Sequence, residues 1–359
     1  MNRSIPIIIM SLLTFKSSFG ETPYTHLEKI VPTPVRYVNF TKTEQETGNS
    51  TNLGLSQLLQ ENGEVANKWS LSTDYLNWQI RRRDLDYAIG ANQTANAIGS
   101  GKIHELTFGQ SSGFRTQLNY SLPDSWVVGF GYTHYANQAS NSQMAANDGT
   151  LFATRSHPKI NETAMTANAS GELYQDTFVL ELRRSLLKSD QAAFDIYGGF
   201  IWGENDQRFV INYDGFDFNQ GVVQNTTTVK SFGLRFGAEG VWGISDSFYA
   251  FGSGDVSLMY GDYSVAMKET EFNAVSGLNE TIVDVQDSYE LTLPSLTASI
   301  GVGWKANDRA DIRIGYEFAA WLGLADRAVF LDDIHEAVYS KDNHNVMFDG
   351  LFIRASFAF

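Results

Sequence analysis

The sequence contains no cysteine, although its amino terminus is typical of an exported protein. An apolar run, Ile5–Phe15, follows Arg3, and Ser18 and Gly20 supply the small residues of a cleavage site. We therefore predict that residues 1–20 are a cleaved signal peptide, because about eleven apolar residues are too few to span a bilayer. The lack of cysteine excludes disulfides and, in an exported chain, favours a bacterial over a eukaryotic origin.

Long apolar runs and basic side chains are also scarce. After the signal peptide no window approaches the roughly 20 apolar residues of a spanning helix. The chain has 26 Lys and Arg against 41 Asp and Glu, for a formal net charge of -15. Nucleic-acid binding requires clustered Lys and Arg, so this function class is excluded. Any membrane insertion is expected to use strands.

Glycine and aromatic residues are plentiful and prolines few, which suits a twisted antiparallel sheet with aromatics at lipid interfaces. From Trp69 onwards, alternating segments are separated by tight turn signals rich in Asp, Asn, Ser, Gly and Pro. These turns are residues 122–125, 188–191, 243–246 and 306–309. Long polar stretches lie between them at about 82–102, 137–170, 204–226, 262–287 and 323–345. Short turns at one end and long loops at the other are typical of outer-membrane barrels.

The predicted fold is all-β, a transmembrane antiparallel β-barrel over residues 67–359. Ten strands are favoured, with eight or twelve as alternatives. The predicted strands are 69–81, 103–121, 125–136, 171–187, 192–203, 227–243, 246–261, 288–305, 310–322 and 346–359. Residues 21–66 are predicted to be a periplasmic leader, either disordered or with a short helix at Leu53–Gln60. A soluble sandwich has the same periodicity, but the signal peptide, the turn asymmetry and the last residues favour the barrel.

The last strand places Leu351, Ile353, Ala355 and Phe357 on one face and ends at Phe359. A closing strand with outward apolar residues and a terminal aromatic is typical of the signal that barrel assembly machinery recognises. We therefore assign Phe357 and Phe359 to an assembly signal. The alternative is an ordinary amphipathic edge strand.

Three stretches carry a family resemblance: Trp69–Trp78 (WSLSTDYLNW), Gly113–Arg115 with Leu118–Tyr120, and Trp126–Tyr132. They resemble the Legionella-type major outer membrane protein family of pore-forming barrels, most densely over residues 69–135 and further to Phe359. The resemblance implies an outer-membrane channel and not an enzyme. The best-known members use cysteines to cross-link a surface complex, which this chain cannot do.

The strand alternation directs a set of charged residues into the barrel, and we predict that they line a pore. They are Arg115, Glu181, Arg183, Arg235, Glu239, Asp255, Asp311, Arg313, Glu317 and Arg354. Opposed charges in a lumen set ion preference. Alternatively, they form a salt-bridged network that fills a narrow barrel. Inward glycines such as Gly233 and Gly237 favour open space.

The sequence thus predicts a porin-like channel for ions and small hydrophilic solutes in the bacterial outer membrane. The alternative is a non-conducting surface protein that acts through its long loops, and a charge-locked lumen or an inserted leader would favour it. Expected partners are outer-membrane lipid, lipopolysaccharide and barrel assembly machinery, and a homo-oligomer is left open. Arg81, Arg82 and Arg83 are either a site for lipopolysaccharide phosphates or a solvated loop edge.

Catalytic and metal sites are weakly indicated, and we predict no enzyme, no metal and no cofactor. Loop residues suitable for a surface protease are Asp148, His157, Asp206 and Asp214, and His134 is the nearest candidate for a lipid-edge hydrolase. Residues suitable for a metal in the last loop are Asp332, Asp333, His335, Asp342 and His344. No spacing among them matches a known motif.

Overall fold

The computed structural model describes residues 68–91, 101–146, 149–158, 163–189, 191–325, 327–331, 334 and 337–359. The predicted signal peptide and leader lie outside this range. Within it, no helix is long and apolar enough to cross a membrane. The strands, in chain order, are β1 (Trp69–Arg82), β2 (Asp86–Ala91), β3 (Lys102–Glu105), β4 (Gln110–Ser121), β5 (Trp126–Met144), β6 (Thr150–Ala153), β7 (Thr163–Ala164), β8 (Thr166–Lys188), β9 (Ala192–Gly215), β10 (Phe218–Gly243), β11 (Phe248–Asn273), β12 (Leu278–Asn307), β13 (Ala310–Ala325), β14 (Ala328–Phe330), β15 (Tyr339–Lys341) and β16 (His344–Ala358).

Ten of these strands close into an antiparallel barrel, which confirms the predicted fold and strand number. Around the barrel the order is β1, β16, β13, β12, β11, β10, β9, β8, β5 and β4, and β4 pairs with β1. The barrel closes because its first strand, β1, pairs with its last strand, β16. At the end of this pairing, Trp69 and Phe359 exchange backbone hydrogen bonds of 3.1 and 2.8 Å. All neighbours pair antiparallel, so every backbone group inside the bilayer finds a partner.

The alternation of side chains also agrees with the prediction. On β10, Phe232, Leu234 and Phe236 are exposed on the outside, while Arg235 and Glu239 point inwards. The outward apolar belt of this strand runs from Phe232 to Trp242, about the ten residues that a tilted strand needs to cross a bilayer.

The predicted second strand, 103–121, begins too early, because β4 starts at Gln110 and β3 lies outside the barrel. The predicted loop 137–170 is wrong at both ends, since β5 continues to Met144 and β8 begins at Thr166.

Two further predicted loops are wrong throughout most of their length. Residues 204–226 and 262–287 continue the barrel strands, so that β9 and β10 are joined by residues 216–217 and β11 and β12 by residues 274–277. The reason is that these segments stand in water above the membrane. Their outward residues, such as Glu204 and Asp206, are therefore polar, and the segments lack the apolar face that identifies a strand in lipid.

Strands β8 to β12 extend roughly a dozen residues, about 40 Å along the strand, beyond the apolar belt. Short turns of such barrels lie in the periplasm, so this extension is extracellular. Its inner face is hydrophobic, and Phe209, Ile211 and Tyr213 of β9 are buried there together with Tyr87 and Leu151 from the preceding loops. The described parts of the loops thus form a packed extracellular body, whose buried side chains continue the apolar cluster of the barrel interior.

Four loop strands pair within this body in the order β3, β2, β6, β7, and β14 pairs with β15. Arg155 helps to hold the loops together, since its guanidinium donates to the Asp86 carbonyl and carboxylate at 2.7 and 2.9 Å and lies 5.3 Å above the Phe209 ring. Burial lowers the pKa of Arg155 to about 10, which leaves it charged at neutral pH. The extracellular core therefore encloses a fixed charge that is satisfied by hydrogen bonds.

Gly233 and Gly237 do not mark open space on the inner face, contrary to the expectation. A Cβ atom on Gly233 would lie 2.1 Å from the Leu258 carbonyl oxygen of the adjacent strand. At Gly237 it would lie 2.5 Å from the Tyr197 ring. The first glycine permits close approach of two strands, and the second makes room for an aromatic side chain.

We predict that Gly233→Ala disturbs the pairing of β10 with β11 and destabilises the barrel by about 1–3 kcal/mol, as overpacking does. Gly131→Ala is the matched control, because its nearest neighbour would lie at an ordinary 3.8 Å. The measurement is the temperature at which the folded band converts to the unfolded band in gel electrophoresis. Equal temperatures for the two variants would contradict the interpretation of Gly233.

Candidate functional site

The structure places all ten predicted charged residues inside the barrel, within two ion-pair networks. The first is centred on Glu239, whose carboxylate accepts hydrogen bonds from Arg313 at 2.6 Å and from Arg183 at 2.7 Å. Arg313 also donates from Nε to the Tyr249 hydroxyl at 2.9 Å and to Asp311 at 3.3 Å. Arg313 is only 2% exposed, so this charge depends on its partners for solvation.

The same network continues along the barrel wall. Arg235 forms a bidentate ion pair with Asp255, through hydrogen bonds of 2.9 Å from Nε and 2.7 Å from Nη2. Its Nη1 atom lies 3.7 Å from Glu181. Arg183 lies 3.4 Å from Glu181 and 4.6 Å above the Tyr197 ring. Each guanidinium is therefore balanced by carboxylates and stacked on an aromatic face, which is the environment that buried arginine prefers.

The second network joins the strands on either side of the barrel seam. Arg115 of β4 donates to Glu317 of β13 at 2.6 and 3.0 Å and to Asp74 at 3.3 Å. Asp74 in turn accepts two bonds from Arg354, at 2.7 and 2.9 Å. The pair of Arg115 and Glu317 bridges strands that are not neighbours, so it crosses the interior instead of following the wall.

Sequence reasoning missed two carboxylates of these networks. Asp74 is 1% exposed and anchors the second network, and Asp195 lies 3.8 Å from Arg183 in the first. Asp74 could have been found, because it follows Ser70 and Ser72 on the inward face of the first strand at a spacing of two. The two tyrosines that hold the arginines, Tyr197 and Tyr249, carry no comparable signal.

A second, apolar layer crosses the lumen on the extracellular side of the charges. The rings of Trp78, Tyr135 and Phe348 are all buried, with centroids 5.6 to 6.1 Å apart. From β13, Trp321 reaches so far across that a Cβ atom on Gly203 of β9 would lie 3.2 Å from its ring. Aromatic side chains from several strands thus fill the space above the ion pairs.

The space that remains between the two layers is a cavity of about 140 Å³. Serines line it beside the charges, and Ser253 and Ser299 share a hydrogen bond of 2.7 Å across two strands. The cavity is therefore polar and large enough to hold several water molecules. The side chains of the ion pairs and of the aromatic layer line it.

The structure gives the described protease candidates separate partners. His157 is buried against the Phe330 ring, whereas Asp206 accepts from Thr228 and Asp214 from the Gln220 amide on the exposed surface. His134 pairs with Asp176 at 2.8 Å on the lipid-facing side.

Asp148, Asp332, Asp333 and His335 lie outside the described residues. Asp342 and His344 are 3.0 Å apart. Among the described residues no three carboxylate or imidazole groups are placed to hold a metal.

Residues 62–359 match the family described as Legionella pneumophila major outer membrane protein precursor. The chain belongs to this family. With the closed barrel, this membership identifies an outer-membrane β-barrel protein, as the three sequence stretches predicted. No curated protein matches the chain.

Several solved structures are similar in fold. The outer membrane protease OmpT from Escherichia coli is 9% identical, with 81% of this chain and 97% of that chain covered and a TM-score of 0.48. Ail, the attachment invasion locus protein of Yersinia pestis, is 12% identical over 82% and 99%, with a TM-score of 0.22. The Pseudomonas putida toluene transporter TodX is 11% identical over 88% and 95%, with a TM-score of 0.28. These likenesses carry no information on activity.

We predict that Arg313→Met costs about 3 kcal/mol of unfolding free energy, because it removes one partner of a buried ion pair and leaves Glu239 with Arg183 alone. The measurement is urea unfolding in detergent micelles, followed by tryptophan fluorescence.

Lys230→Met is the control, since Lys230 is a 67% exposed cation 3.4 Å from Glu204. Surface pairs of this kind contribute little, so a much smaller loss is expected. An equally small loss for Arg313→Met would mean that the lumen network does not support the barrel.

Proposed function

We propose that this protein is a closed outer-membrane barrel that works through its extracellular body and does not conduct solutes in its resting state. The observations that carry the proposal are the ion-pair networks in the barrel interior and the buried aromatic layer around Trp78 and Trp321 on their extracellular side. A charge-locked lumen was the feature expected to favour a surface protein over a porin.

The energetics of the ion pairs support closure. A hydrophilic solute passing through would have to displace Arg313 or Arg183 from Glu239, or Arg115 from Glu317. Breaking a buried pair by removing one partner costs on the order of 3–5 kcal/mol, and several pairs would have to open together. Passive diffusion needs a path that is already open, so the resting barrel is a poor pore.

The extracellular body supports a role at the cell surface. In the described residues, the loop strands, the buried Arg155 and the extended wall of β8 to β12 pair and pack into one structure. Ordered loops on a rigid scaffold are where binding functions are usually found. The tips of the wall expose apolar residues such as Phe216 and Val275, which suits contact with another macromolecule.

The second candidate is the porin-like channel predicted for ions and small hydrophilic solutes. In this candidate the channel passes only single ions. It is favoured by the polar cavity between the two layers, which is lined by serines and by charges of both signs. We propose no catalytic activity, because His157, Asp206 and Asp214 have separate partners.

Conductance in planar bilayers tests the closed state. We expect no discrete steps from the folded wild-type protein, because both layers must separate before ions pass. The variant Arg235→Ser, Asp255→Ser, Trp321→Ala removes one neutral ion pair and thins the aromatic layer. It is expected to give small, discrete steps.

The conducting variant serves as the control that the protein inserts, and a heat-dependent shift on a gel verifies that both proteins are folded. Discrete steps from the wild type, of a size similar to those of the variant, would contradict the closed barrel and favour the channel.

A further inference from the structure

The outer end of β1 contains a groove whose lining is basic, in a protein that carries a net charge of -15. Three arginines line it against a single carboxylate, Glu105. The remaining walls combine amide and hydroxyl groups with apolar side chains. The lining includes Arg81, Arg83, Thr107, Asn343, Asn345 and Met347.

The three consecutive arginines do not act as one patch, because strand alternation separates them. Arg82 turns inwards, where it donates to Asp84 at 3.0 and 2.9 Å and to Gln207 across the barrel. Arg81 and Arg83 remain exposed on the outer side. The prediction from sequence is therefore narrowed to these two.

An ion pair with Asp349 orients Arg81 and leaves part of its guanidinium accessible. Its Nε and Nη2 atoms donate to the Asp349 carboxylate at 2.5 and 3.1 Å. A guanidinium has five N–H donors, and the two bonds to Asp349 use two of them. The side chain is 59% exposed, so the guanidinium remains accessible to a ligand.

Arg83 sits on a rigid turn and makes no ion pair with any described residue. The turn is fixed by Asp84, which adopts a left-handed backbone with φ of 64°. Asp84 is held by both Arg82 bonds and by Arg155, which donates to its carbonyl oxygen. The turn thus fixes where the Arg83 backbone lies, and the planar guanidinium presents its donors in a geometry that matches a phosphate.

The groove lies at the level of the lipid headgroups. Tyr75, Tyr316 and Leu351 form the outer margin of the apolar belt on these strands, and Tyr316 donates its hydroxyl to Asp349 beside Arg81. Aromatic girdles mark the boundary between acyl chains and headgroups. Arg81 and Arg83 therefore lie where phosphate groups of the outer leaflet are found.

At the same level, the opposite side of the barrel is acidic. Cross-strand partners there form a continuous row, namely Asp176, Glu204, Lys230, Asp262 and Glu290. Four carboxylates with one lysine repel phosphate, so the headgroup level has an acidic side and a basic groove. This asymmetry directs an anionic lipid to the outer end of β1.

We propose that this groove binds a phosphorylated glycolipid headgroup of the outer leaflet, as in lipopolysaccharide. Arg81 and Arg83 hold the phosphate by charge-assisted hydrogen bonds, and Asn343, Asn345 and Thr107 contact the sugar hydroxyls. Met347 packs against the apolar part of the lipid. The site does not depend on whether the barrel conducts.

The test is titration of the full-length protein in lipid nanodiscs with bisphosphorylated lipid A, followed by native mass spectrometry. The second ligand is dephosphorylated lipid A with the same acyl chains, and the third is inorganic phosphate. The double variant Arg81→Gln, Arg83→Gln loses two charge-assisted contacts. Its affinity for bisphosphorylated lipid A is expected to fall about tenfold or more. Arg83→Gln alone, which breaks no ion pair with any described residue, is expected to weaken this binding severalfold.

Lys230→Gln is the matched control, since it removes an exposed cation at the same level on the acidic side of the barrel. The affinity of this variant for bisphosphorylated lipid A should stay within about twofold of wild type. The proposal is overturned if both arginine variants bind like wild type, or if dephosphorylated lipid A binds equally well. It is also overturned if the binding of inorganic phosphate depends on Arg81 and Arg83 while the binding of lipid A does not. The groove would then be a site for free phosphate.

Discussion

The carboxylate of Glu239, held between Arg183 and Arg313, is the interaction on which the barrel interior depends. Ten strands enclose a space that side chains can nearly fill, and strand alternation makes half of these side chains polar. Charges in such a space are tolerable only as pairs with satisfied hydrogen bonds. The networks around Glu239 and Asp74 meet this requirement, and in doing so they place paired side chains across the barrel interior. The proposed closure would be a consequence of building a small barrel with a charged inner face.

Much of this architecture could be predicted from the sequence, because lipid imposes a simple period. Outward residues such as Phe232 and Leu234 must be apolar, so the spanning strands and their faces are readable. Above the membrane this constraint disappears. The outward residues of β9 and β10 become polar there, and their extensions were therefore predicted as loops.

The pairing of the charges was not predictable, although their inward direction was. Whether Arg313 meets Glu239 depends on the stagger of strands that are not neighbours in the sheet, which no local pattern reveals. Gly233 illustrates the same limit. A glycine on the inner face is compatible with an open lumen or with close approach of two strands, and only the register with Leu258 decides between them.

The extracellular side combines a packed body with an unequal distribution of charge at the membrane surface. The extended strands β8 to β12 lie above a row of carboxylates, whereas the opposite side of the barrel, where the strands are shorter, carries Arg81 and Arg83. A phosphorylated lipid bound on this opposite side would orient the extended strands relative to the outer leaflet. The closed lumen, the rigid wall and the basic groove are consistent with a protein that acts at the cell surface.

The most direct test of the closed lumen is the accessibility of a single cysteine, which is clean because the chain has none of its own. In Ser253→Cys the thiol lies in the cavity between the two layers, and in Val275→Cys it lies at the tip of the wall, where Val275 is 98% exposed. A charged, membrane-impermeant thiol reagent is added to intact cells and the labelled fraction is followed over time. The closed barrel predicts rapid labelling of the cysteine at 275 and none of the cysteine at 253. Labelling of both at similar rates would show that the lumen is open from outside and would contradict the account.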